Sequence, residues 1–123
     1  VPDDGRFELR LMDGAVNPYL LQAGVIAAGL HGIKNNINPG KPLSCNMYTD
    51  HKNYPDLKKL PDTIEDALNQ LENSKEIREA FGDDTINSYL KLKKSEIENF
   101  YQEEKFDKKT AVTNWEKNST LDC

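Results

Sequence analysis

The sequence predicts an α+β chain that is mostly helical, with one N-terminal strand and about four to five helices. Three observations predict it. The hexapeptide Arg6-Phe7-Glu8-Leu9-Arg10-Leu11 alternates polar and apolar with the period of two that a strand requires. The run from Pro18 to Gly32 contains no Asp, Glu, Lys or Arg. From Thr63 onward, apolar residues recur at helical spacing behind residues suited to capping.

The strand is expected over residues 6–11, with Arg6, Glu8 and Arg10 on one face and Phe7, Leu9 and Leu11 on the other. Same-face neighbours on a strand lie roughly 6.5 to 7 Å apart, so at an effective dielectric near 20 each Arg–Glu attraction is about 2.4 kcal/mol. That magnitude fits two arrangements. One is a solvated or self-paired polar face, in which the charges contribute little. The other is a carboxylate between two guanidiniums that holds a divalent cation and anionic substrates together.

Asn17-Pro18 begins a helix, because Asn accepts from first-turn amides and Pro suits the first helical position. This helix is expected over 18–34. It is apolar all round, which predicts burial, and it is too short to span a bilayer. Gly24, Gly29 and Gly32 each weaken a helix by about 1 kcal/mol relative to Ala, which suggests the close approach of another backbone. Their spacing fits neither a dinucleotide-binding nor a P-loop pattern. Asn38-Pro39-Gly40-Lys41 is a turn, and a long ordered loop follows over about 38–61. Further helices are expected over 64–72, 75–81 and 84–104, with a capped terminal turn at 114–118 in which Trp115 anchors packing. Tyr89, Phe100 and Tyr101 fall on the apolar stripe of the long helix and read as core.

A net charge of -5 argues against nucleic acid or an anionic membrane as the main partner, since both require a positive field. No run of apolar residues is long enough for a membrane span and no targeting pattern opens the chain, so the expected location is cytoplasmic. Cys45 and Cys123 belong to no Cys/His cluster and are expected as reduced thiols. The opening Val1-Pro2 lacks an initiating Met, which reads as a fragment of something longer.

Taken in order, Arg6-x-Glu8-x-Arg10, Asp13-Gly14-x-x-Asn17-Pro18-Tyr19-Leu20, Ala27-Ala28-Gly29-Leu30-x-Gly32-Ile33-Lys34-Asn35 and Pro39-Gly40 resemble the glutamine synthetase family. The resemblance is to the C-terminal portion of its catalytic domain. It continues through Asn46-Met47-Tyr48, the helix from Thr63 to Leu71, Tyr89-x-x-Leu92-Lys93 and Thr113-Asn114-Trp115-Glu116. The first forty residues carry the specific part. The phrase Asp13-Gly14-Ala15-Val16-Asn17-Pro18 and the ending Thr120-Leu121-Asp122-Cys123 look most like a bacterial subgroup that includes γ-glutamyl-amide synthetases. The expectation is therefore a native end and an artificial or cleaved beginning.

The resemblance implies roles. Glu8 corresponds to a ligand of Mg²⁺ or Mn²⁺ beside the nucleotide phosphates, Arg10 to a catalytic and substrate-binding arginine at the transferred phosphoryl group, and Arg6 to a residue near the nucleotide. The implied reaction phosphorylates the γ-carboxylate of glutamate with ATP, and ammonia then attacks the γ-glutamyl phosphate. Homo-oligomeric rings with active sites between neighbours are implied for the full-length protein. A methylamine or other amine acceptor is an alternative within the ligases, and a non-catalytic assembly module is an alternative outside them. The isolated chain is expected to be inactive, because one carboxylate cannot build two metal sites. Family members can carry an adenylylated tyrosine followed by a Leu-Pro run, but Thr49-Asp50-His51 follows Tyr48 here, so Tyr48 is read as structural or interfacial. His31 stands where the family commonly has an acid and is read as a helix-end or interface side chain, not as a ligand. His51 has no metal-ligand spacing around it.

Overall fold

The computed structural model describes residues 2–103 and 112–119. In chain order the elements are β1 (Pro2–Asp3), β2 (Arg6–Phe7), α1 (Pro18–Lys34), α2 (Met47–Asp50), a single 3₁₀ turn (His51–Asn53), α3 (Ile64–Asn73), α4 (Lys75–Phe81), α5 (Asp83–Glu103) and α6 (Asn114–Ser119). The chain is mostly helical. Cys123 and Glu104, the expected end of the long helix, lie outside the described residues.

The strand departs from its expected span. β1 and β2 form an antiparallel hairpin in which Pro2 faces Phe7 and Asp3 faces Arg6. Asp4-Gly5 makes the turn, and Gly5 takes φ +76, a left-handed conformation that side chains disfavour. Only Arg6 and Phe7 of the expected 6–11 span are in a strand, and residues 8–11 have no regular structure. In the register of this hairpin the pairs are Pro2 with Phe7 and Asp3 with Arg6. A hairpin of two residues per strand is the only sheet among the described residues.

The chain divides into two compact units, one of residues 28–90 and one of residues 1–27 with 91–123. In the unit of residues 28–90, the end of α1 closes in a Schellman turn. The Ile37 amide donates to the Gly32 carbonyl at 2.9 Å and the Asn36 amide to the Ile33 carbonyl at 3.2 Å. Asn36 is the left-handed residue, at φ 51. Gly40, at φ +87, then forms the turn after Pro39, with its amide on the Asn38 side-chain oxygen at 2.8 Å. The expected loop of 38–61 is not wholly irregular, because Asn46 caps the short α2 by accepting from the Tyr48 amide. Thr63 Oγ1 accepts from the Asp66 amide at 3.1 Å to start α3, and Ser74 Oγ from the Ile77 amide at 3.3 Å to start α4. Gly82, at φ +81, ends α4.

Leu68, Ile86 and Leu90, at 6%, 5% and 3% exposure, are the buried apolar residues of this unit. Arg78 fastens the three helices around them. Its Nε donates to the Glu72 carbonyl at 2.7 Å, and its Nη1 donates to Asp83 at 2.7 Å and Asn87 at 3.1 Å. One guanidinium thus joins the end of α3 to the start of α5 across α4.

In the unit of residues 1–27 and 91–123, Thr113 and Glu116 form a reciprocal capping box at the start of α6. The Thr113 amide and hydroxyl donate to Glu116 Oε2 at 2.7 and 2.8 Å, and the Glu116 amide donates to Thr113 Oγ1 at 3.1 Å. Trp115 meets Phe100 edge to face, with ring centroids 5.5 Å apart. The hydrogen bonds from Thr113 hold the Glu116 carboxyl below its ordinary value.

Helix α1 has the expected span but not the expected burial. None of its residues is fully buried, and Ile26, Leu30 and Ile33 are 61%, 61% and 76% exposed. A Cβ built on Gly24, Gly29 or Gly32 meets nothing within 4 Å among the described residues, so none of their backbone approaches these glycines.

Leu90→Ala should lower the unfolding free energy of the α3–α5 segment by about 2 to 4 kcal/mol, whereas Asp83→Ala, which removes an exposed partner of Arg78, should cost under about 1 kcal/mol. Urea unfolding followed by circular dichroism checks both. The capping box should be pH-dependent in a defined direction. Because the Glu116 carboxyl is lowered in the folded state, its contribution is present above the ordinary value of 4.5 and is lost as pH falls through the folded value. The Thr113 amide resonance should follow that titration, and Glu116→Gln should flatten it.

Candidate functional site

Glu8 and Arg10 are the sequence-derived site residues that the structure joins directly. Arg10 Nε donates to Glu8 Oε1 in an ion pair whose side chains are 74% and 51% exposed. Arg6 sits in β2, opposite Asp3 in the hairpin register. The pair lies in the irregular segment between β2 and α1. At its far end, Asp13 accepts from the Ala15 amide at 2.8 Å. Asn17 Oδ1 then accepts from the Tyr19 and Leu20 amides at 3.0 and 3.1 Å, which begins α1.

The arrangement offers a hard carboxylate oxygen donor and guanidinium donors within one short segment. Mg²⁺ and Mn²⁺ take oxygen ligands and retain water, so one carboxylate fits as a single member of such a shell. It does not make a complete site. Among the described residues no group of three or more His, Cys, Asp or Glu side chains could hold a metal ion.

The remaining residues singled out from the sequence are dispersed. Tyr48 is 91% exposed in the first turn of α2. His31, half-buried in the last turn of α1, has Nδ1 3.3 Å from Asn35 Nδ2. His51 is exposed in the 3₁₀ turn. Cys45 is a half-buried free thiol whose Sγ donates to Met47 Sδ at 3.5 Å. A hydrogen bond with Cys45 also pushes the Tyr54 hydroxyl above its ordinary value. The sequence gives no signal for that cluster beyond the Asn46 cap, which brings Cys45 and Met47 to the same helix start. Among the described residues, no helix is long and apolar enough to cross a membrane.

Residues 1–119 match the family model described as the glutamine synthetase catalytic domain. The chain is 44% identical over 122 residues to a glutamine synthetase of Rhizobium meliloti (strain 1021), covering 99% of this chain and 26% of that protein. It is 39% identical over 111 residues to a γ-glutamylethanolamide synthetase of Streptomyces coelicolor, covering 90% of this chain and 21% of that one. It is 37% identical over 121 residues to a glutamate–methylamine ligase of Methyloversatilis universalis, covering 96% and 25%. The chain thus spans 21% to 26% of the length of these relatives. No solved structure matches it. With a family match running from the hairpin through α6, this chain belongs to the glutamine synthetase family.

Proposed function

We propose that residues 1–123 are the C-terminal portion of the catalytic domain of an ATP-dependent glutamate–ammonia ligase. The observation that carries this reading is the family match over residues 1–119, together with 44% identity to a glutamine synthetase along 99% of the chain. The reaction transfers the γ-phosphoryl group of ATP to the γ-carboxylate of glutamate, releasing ADP. Ammonia then displaces phosphate from the acyl carbon to give glutamine.

In this reading Glu8 is one ligand of Mg²⁺ or Mn²⁺, which supplies charge neutralisation on the phosphate oxygens. Arg10 binds substrate and places its guanidinium against the charge that develops on the transferred phosphoryl group, and Arg6 contributes positive charge at the nucleotide. The exposed Glu8–Arg10 pair is no obstacle. Ion pairs at such exposure are worth about 0 to 1 kcal/mol, less than either partner gains from a dication or a phosphate, so the two side chains separate readily. The run of α1 from Pro18 to Ile33, which carries no Asp, Glu, Lys or Arg, is buried in the complete catalytic domain, whose remaining strands make the architecture α+β. The full-length protein is cytoplasmic and self-associates.

A second reading keeps the same phosphorylation and changes the nucleophile to a small amine. It is favoured by the relatives named for ethanolamide and methylamine chemistry.

In the full-length protein, Glu8→Ala should lower kcat/KM by at least about a hundredfold, the equivalent of losing about 2.7 kcal/mol of metal-derived stabilisation, and should weaken Mn²⁺ binding. Unchanged rate and metal affinity would return Glu8 to a solvated polar face, whereas absence of Mg²⁺-dependent nucleotide binding by the full-length protein would favour a non-catalytic assembly module. Arg10→Lys keeps the charge and loses the planar fork, so kcat should fall about tenfold to a hundredfold with metal affinity intact. The isolated chain should release no phosphate from ATP with glutamate, ammonium and Mg²⁺ present, and turnover would contradict its being one part of a larger site. Competing ammonium, methylamine and ethanolamine in the full-length enzyme identifies the acceptor by the ratio of kcat/KM values.

A further inference from the structure

We draw no further inference here: the strongest candidate, the cluster of Cys45, Met47 and Tyr54 at the start of α2, rests on a single thiol and on hydrogen bonds within the cluster, and nothing in the structure points to a ligand there.

Discussion

A helix start leaves backbone amides without intrahelical partners, and the answer this chain gives to that constraint shapes everything else in it. Side-chain oxygens of Asn17, Asn46, Thr63, Ser74 and Thr113 each accept from an amide two or three residues ahead. Such caps are worth about 1 kcal/mol each, enough to place a boundary and too little to hold a short helix in water. Helices of four, seven and six residues, as α2, α4 and α6 are, need packing as well. Leu68, Ile86 and Leu90 supply it around α3 to α5, and Phe100 against Trp115 supplies it at α6. Arg78 adds direction to the first of these clusters by joining a carbonyl of α3 to side chains of α5.

What could be read from the sequence follows from how local each determinant is. Thr63, Ser74 and Gly82 act within one turn of chain, so α3 and α4 begin and end at, or within one residue of, where their capping residues indicate. The turn at Pro39-Gly40 is local in the same way. β2 is different, because a strand needs a partner at a stated register, and alternation over residues 6–11 says nothing of how far that partner extends. The four residues of α2 are too few for periodicity to reveal, although the Asn46 cap was present in the sequence. Asn36 closes α1 where glycine is the usual signal.

The polar segment was half legible. Alternation places Glu8 and Arg10 on one strand face, and they do meet, although not through strand geometry. A self-paired face was among the arrangements the residues allowed, and the exposed ion pair has that form. Roles for Arg6, Glu8 and Arg10 came only from the family resemblance. A carboxylate beside a guanidinium is common on protein surfaces, and one ligand does not identify a metal site.

Helix α1 carries no Asp, Glu, Lys or Arg from Pro18 to Ile33, and Leu20, Ile26, Leu30 and Ile33 on it are exposed while Leu21 and Val25 are half-buried. Any surface that covers it does so without ionic partners, through removal of apolar area from water. Such contact is nearly indifferent to pH and is not screened by ordinary salt. It strengthens in sulfate and weakens on cooling, because its driving force near room temperature is entropic. A contact made through these residues would therefore be cold-sensitive, whereas the ends of the helix itself are set by hydrogen bonds at Asn17 and Asn36.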